Sequence, residues 1–356
     1  MAWIDSHPFA LSKGGGGAST GSARTVAGWP VHDARDAMST SPAQVFPEHG
    51  SRAVSALRLS GSAPGAVANC RIIDEDALTI DVEGVGRYTL MWTPADGDGA
   101  AAGYVAGEGV LGDEVVSERV PERLALAAGF AYSEGIIAGL DDIATMAVCP
   151  ERRDVVRLRI KAPERAVVRR REVVLASSCG LCGGRDELAE GFDAFPPVTT
   201  GLRLAPPRLS ALMDAMQRRQ RLFRTTGGAH AAAVFSPHAG IVAAAEDLGR
   251  HNALDKVIGA CLLRGVPLAG CGVVLSSRLS YEMVAKAARA GFELVAAVSA
   301  PTSLAVALAE RVGITLCGFV RDGAATVYTH PQRIRDGAGE PAWPACSAGF
   351  PSTYDD

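Results

Sequence analysis

Gly272-Val273-Val274-Leu275-Ser276-Ser277-Arg278-Leu279-Ser280-Tyr281-Glu282-Met283-Val284 is an apolar run that breaks into hydroxyls and an arginine before resuming with helical spacing. A short apolar segment of this kind, closed by a polar turn, reads as a strand buried on both faces. The alternation extends in both directions. Upstream, Leu209, Leu212, Met213 and Met216 mark a helix, residues 231–235 and 241–245 read as strands about a turn at 237–240, and 252–263 reads as a helix. Downstream, helix 281–290, strand 294–298, helix 304–311, strand 314–320 and strand 325–328 complete the pattern. Helices alternating with short apolar strands predict an α/β fold with a largely parallel sheet covered on both faces.

In such a sheet ligands collect beyond the carboxyl ends of the strands, where helix N-termini present free N–H groups. Three turns expected there are polar: residues 246–252 with Arg250 and His251, residues 276–280 with Ser276, Ser277 and Arg278, and residues 299–303 with Ser299 and Thr302. Any one of them is ordinary helix capping. Three on one edge, with His230 nearby, point to an anion or phosphate site. No Walker-type or G-x-G-x-x-G pattern follows a strand. A hairpin followed by α-β-α-β units is also the order of the cytidine-deaminase-like sheet, so the expected main domain is a deaminase-like three-layer α/β unit. The deaminase chemistry is absent, because His230 is followed by Ala231-Ala232 and no Pro-Cys-x-x-Cys occurs downstream.

Ahead of this half lies Ser177-Ser178-Cys179-Gly180-Leu181-Cys182-Gly183-Gly184. Two thiols at this spacing serve half a zinc site, a redox dithiol or a persulfide carrier. The other six cysteines are singletons, which disfavours zinc, so no structural metal is expected. Gly183-Gly184 makes a poor first helical turn, which disfavours a thioredoxin-type site and suits a loop. A pair of structural thiols in a turn is the plain alternative.

Residues 1–68 are rich in Gly, Ser, Ala and Pro and are expected to be a disordered lead-in. Residues 69–176 read as a smaller α+β domain: a hairpin through Leu78, Ile80, Val82 and residues 88–92, helices at 100–110 and 122–137 that resemble each other, and two strands bearing Arg157, Arg159 and Arg169-Arg170-Arg171. Residues 177–206 form the cysteine loop and linker, 207–335 the main domain, and 336–356 a disordered tail. A net charge of -4 gives no support for nucleic-acid binding, and no stretch qualifies as a signal peptide or membrane span. Eight cysteines without a disulfide-like framework suit a reducing, cytoplasmic setting.

Residues 179–183, 228–233, 246–256, 276–284 and 327–331, in that order, resemble the formate dehydrogenase accessory sulfurtransferases called FdhD. The likeness runs from about 77 to 335, and the stretch 94–122 is longer than the family pattern. The resemblance implies a cytoplasmic homodimer that carries sulfur from a cysteine desulfurase to the molybdenum bis(guanine dinucleotide) cofactor of the formate dehydrogenase apoprotein. It implies that Cys179 carries the persulfide and that Phe319, Val320, Arg321, Asp322, Gly323 and Ala324 form a cofactor-binding segment. Cys182 is then placed to resolve the persulfide. A cofactor-binding chaperone that transfers no sulfur, and a thiol-disulfide oxidoreductase, are the rival readings.

Overall fold

The computed structural model describes residues 49–60, 63–95, 103–111, 120–166 and 195–335. Strands β1 (Ser51–Ser60) and β2 (Ala63–Ile73) pair antiparallel, with Ser51 opposite Ile73 and Leu57 opposite Val67. They occupy a stretch read from composition as mostly disordered lead-in. Contacts distant in sequence hold the base of this ribbon. Gly50 packs against Leu222 and Ile73 against Gly228.

The first large sheet has the order β4-β3-β8-β7-β5-β6. Its hairpin, β3 (Asp76–Val82) and β4 (Gly86–Trp92), buries Leu78, Ile80, Val82, Tyr88, Leu90 and Trp92, as side chains two apart on one strand face must. Strands β5 (Gly103–Val105) and β6 (Gly109–Leu111) form a second hairpin where a helix at 100–110 was expected. The reason is local: Gly107 and Gly109 sit at φ 86° and 84°, a left-handed conformation that ends any helix. The likeness between 101–111 and 127–137 is therefore compositional, since the second copy is helix α1 (Glu122–Ser133). Strands β7 (Ile143–Val148) and β8 (Val155–Ile160) complete the sheet, with Arg157 and Arg159 exposed on β8 as their alternation predicts. The expected partner strand near 167–175 lies outside the described residues.

After helices α2 (Pro206–Arg219) and α3 (Arg221–Thr226) comes the second large sheet, in the order β10-β9-β11-β12-β13-β14. Strands β9 (His230–Ser236) and β10 (Gly240–Asp247) are antiparallel; β11 (Gly272–Leu275), β12 (Leu294–Ala297) and β13 (Thr315–Arg321) are parallel; β14 (Ala324–Thr329) returns antiparallel. Alternation splits β9 between two cores. Ala231, Ala233 and Phe235 meet Leu209, Leu212, Met213 and Met216 of α2, while Ala232 and Val234 join α4 (Arg250–Leu263), α5 (Tyr281–Arg289) and α6 (Ser303–Val312). The protein is thus mixed α/β, its second sheet layered between helices.

The two sheets are joined through α1 and α4. A Cβ on Gly129 would lie 1.8 Å from the Asp255 carbonyl oxygen, and one on Gly259 would lie 1.8 Å from that of Ala125. The backbones therefore touch. Two buried lysines lock the crossing. Lys256 Nζ lies 3.0 Å from Asp247 and 2.9 Å from Glu122, and it donates to Thr93 O at 2.8 Å. Lys286 bridges Asp255 at 2.8 Å and Glu134 at 2.9 Å. Burial opposes both charges, but the paired carboxylates outweigh it and hold both ammonium groups above their usual range.

Candidate functional site

Strand direction gathers the site. Because β9 runs antiparallel to β10 and β11, its first residue, His230, stands opposite Asp247 and at the end where β11 stops. Strands β12 and β13 run parallel to β11 and end on the same edge. Arg250, His251, Ser276, Ser277, Arg278, Ser299, Thr302, Arg321, Asp322, Gly323 and Ala324 lie at or just past the ends of β10, β11, β12 and β13, so the topology brings the predicted polar turns to one edge.

Backbone hydrogen bonds tie the turns together. Ser276 N donates to Ala231 O at 3.0 Å, Leu279 N to Ala300 O at 3.1 Å, Thr302 N to Leu279 O at 2.9 Å, and Phe319 N to Ser299 O at 3.2 Å. Phe319 is 39% exposed at φ 53°, with Asp322 at φ 52° and Gly323 at φ 76°. Left-handed backbone at two non-glycine residues within one short hairpin is strained, and such strain persists where the surroundings enforce it.

Several predicted groups have internal duties. Ser276 Oγ accepts from Ala231 N at 2.8 Å, Ser277 Oγ donates to Arg278 O at 3.1 Å, and Thr302 Oγ caps α6 by accepting from Ala305 N at 3.3 Å. Thr302 is an ordinary helix cap, and Ser276 and Ser277 are spent on the backbone of β9 and of their own turn. The Val320 side chain is fully buried in the core under α2, so only its backbone can face a ligand.

Arg250, His251, Arg278 and His230 form a cluster. His251 Nε2 lies 2.9 Å from Glu282 Oε2, within ion-pair distance but off hydrogen-bond alignment. Burial lowers the proton affinity of Arg250; Glu282 opposes this and Arg278 adds to it, which places all three charges in one neighbourhood. His230 is pushed below its usual range by burial, then by Arg250 and His251, against the opposing pull of Asp247. Both effects favour the neutral imidazole. Among the described residues Ser280 Oγ is buried without a partner at the start of α5, although Ser280 holds the N-cap position. A buried hydroxyl left in this state, at a helix start two residues after Arg278, suits a bound anion.

Two members were not singled out from sequence as site residues, Ser280 and Glu282. Ser280 stands at the N-cap and Glu282 in the first turn of α5, positions where a hydroxyl and an acidic residue are expected for helix-start reasons alone.

Cys179 and Cys182 lie outside the described residues. The segment that holds them departs from β8 near the β3–β4 turn, where Pro163 packs on Gly84, the end of that sheet away from Trp92. It rejoins at Val198, whose N–H donates to Val312 O at 2.8 Å, and at Gly201 and Leu202, whose N–H groups donate to the Glu293 carboxylate. Arg333, fully buried, fastens this strap from Glu293 to Thr199 O. Cys261 and Cys317 are unsuited to thiolate chemistry, as burial pushes both up to about 12.

The FdhD/NarQ family model matches residues 114–335. The chain belongs to the FdhD/NarQ family. Within it, the chain is 37% identical over 297 residues to the sulfur carrier protein FdhD of Anaeromyxobacter dehalogenans strain 2CP-1, covering 78% of this chain and 91% of that one. It is 35% identical over 303 residues to the same-named protein of Bordetella bronchiseptica, covering 84% and 99%. A solved structure described as a formate dehydrogenase accessory protein from Desulfotalea psychrophila shares the fold, with a TM-score of 0.59 at 21% identity over 80% of this chain and 99% of that one. Among the described residues no helix is long and apolar enough to cross a membrane.

Proposed function

We propose that this FdhD/NarQ chain is a cytoplasmic sulfur carrier, acting as a homodimer. It accepts sulfane sulfur from a cysteine desulfurase and passes it to the molybdenum bis(guanine dinucleotide) cofactor destined for formate dehydrogenase. The observation that carries the reading is the cationic sheet edge where Arg250 and Arg278 act on His230, in a chain whose relatives are named sulfur carriers. A dinucleotide brings pyrophosphates, and two guanidinium groups with helix N-termini are suited to hold them. The order of the second sheet, an antiparallel β10-β9 pair followed by parallel β11, β12 and β13, supports a cytidine-deaminase-like reading of the fold.

In this mechanism the Cys179 thiolate attacks the terminal sulfur of the donor persulfide. The donor S–S bond breaks, the donor cysteine leaves as thiolate, and Cys179 becomes the persulfide. Attack by the Cys182 thiolate on the inner sulfur of Cys179 then forms a disulfide and expels the outer sulfur as hydrosulfide toward the bound cofactor. A cellular dithiol reduces the disulfide and closes the cycle. Extended chain from Ala166 to Cys179 reaches at most about 45 Å, enough to span a domain of this size.

The test is intact-protein mass spectrometry after incubation with desulfurase and cysteine. Wild type gains one sulfur atom and Cys179→Ser gains none; this variant also fails to mature formate dehydrogenase at an unchanged melting temperature, because a hydroxyl cannot carry sulfane sulfur. Full maturation by Cys179→Ser would overturn sulfur transfer in favour of a cofactor-binding chaperone. Binding is checked separately: GDP raises the melting temperature more than ADP does, by mass action on the native state.

A further inference from the structure

The β1–β2 ribbon has no role in the chemistry above, yet its surface is unlike the rest of the described molecule. It is a two-stranded sheet that no third strand joins among the described residues, which leaves both its edges open there. Leu57, Leu59 and Val67 lie together on one face and are 62%, 72% and 77% exposed. Isolated two-stranded ribbons are marginal in water, and open apolar edges invite pairing.

Its charge is one-sided. Residues 51–73 contain Arg52, Arg58 and Arg71 and no carboxylate. Arg52 pairs with Asp74 and Arg71 holds Ser51 at the base, whereas Arg58, out on the arm, makes no ion pair among the described residues. The base sits on the rim of the cationic edge, since Ile73 packs against Gly228, two residues before His230.

We propose that this ribbon is a docking arm for the protein that receives the cargo of the adjacent site. The partner is an acidic, apolar strand of the apo-formate dehydrogenase, which adds to an open edge, covers Leu57, Leu59 and Val67, and sets a carboxylate against Arg58. The inference rests on the function proposed above. Charge disfavours a second copy of this chain, because two-fold pairing sets the patch against itself and the ribbon brings arginine with no carboxylate to meet it.

The experiment measures binding of the full-length protein to purified apo-formate dehydrogenase, with Leu57→Ser/Val67→Ser and Arg58→Glu as variants. All three proteins are first checked for an unchanged GDP-induced melting shift, which certifies fold and site. The double variant and Arg58→Glu are each expected to weaken binding at least tenfold, wild-type affinity to fall with salt, and the ribbon amides to exchange fast in the free protein and slowly in the complex. Unchanged affinity in both variants overturns the docking arm while leaving the proposed function intact. No wild-type binding to the apoenzyme counts against the function itself. Loss of dimerisation in the variants, by light scattering, would assign the ribbon to a second copy. Loss of desulfurase binding alone would assign it to the sulfur donor, and slow exchange in the free monomer would mean that the chain covers its own ribbon; each of these results overturns the proposal.

Discussion

Within Glu246-Asp247-Leu248-Gly249-Arg250-His251-Asn252-Ala253-Leu254-Asp255-Lys256, neighbouring residues serve different ends. Arg250 and His251 face the site, whereas Asp247, Asn252, Asp255 and Lys256 are buried in the joint between the sheets. Asn252 Nδ2 donates to Met91 O at 2.7 Å and Asp247 Oδ2 accepts from Thr93 N at 3.0 Å. Sequence displays such a block as one motif; burial divides it. His230 gives a testable consequence. Its proton affinity is lowered in the folded state, while the unfolded chain titrates near the ordinary value of 6.5. The unfolded state therefore binds the proton first, and His230 contributes stability that is complete above about pH 6.5 and is lost as pH falls below it. His230→Gln should reduce the drop in melting temperature between pH 7 and pH 5.5. A bound anion favours the protonated imidazole, so GDP should bind more tightly at the acid end in wild type and lose that pH dependence in the variant. A pH-independent GDP affinity in wild type would remove His230 from the site.

At the scale of elements, the decisive contact is the crossing of α1 and α4. Each helix offers a glycine where the other's carbonyl approaches, so an added methyl has no room on either side. Gly259→Ala should cost about 1–3 kcal/mol or more by overpacking, seen as a lower urea midpoint. Lys256→Met tests the ionic half of the same joint. The lysine and Asp247 are both at most 1% exposed, and removing the cation leaves buried carboxylate unpaired, so a loss of about 3–5 kcal/mol is expected. Recovery of stability when Asp247→Asn is added would confirm that the uncompensated charge is the cause. The stretch at 103–111 teaches the converse lesson. Its Ala/Gly composition resembles that of α1, but two glycines in left-handed backbone turn it into a hairpin.

For the whole molecule, the first sheet cannot complete its core without the second. Leu263 of α4 packs among the residues of the first core, and Tyr132 packs against both. Urea unfolding should therefore be one transition. Fluorescence from tryptophan, including Trp92 at the joint, and far-UV circular dichroism should coincide, and a fragment of residues 207–335 alone should not fold cooperatively. Two separated transitions would show that the halves are independent domains.

The sequence by itself determined the alternation of strand and helix through 206–335, the hairpin at 76–92 and the set of polar turns at the strand ends. Each of these is set by local periodicity and by turn residues, and local rules do not need a partner. It could not show the ribbon at 51–73, because Ala, Ser and Gly carry too little apolar signal and the anchors, Leu222 against Gly50 and Gly228 against Ile73, are far away in sequence. Nor could it separate hydroxyls committed to the fold from uncommitted ones. Ser276, Ser277 and Thr302 are spent inside the fold, whereas Ser280, in the same kind of turn, is left without a partner. Only the tertiary structure decided that, since whether a buried polar atom is satisfied depends on what distant chain is brought against it.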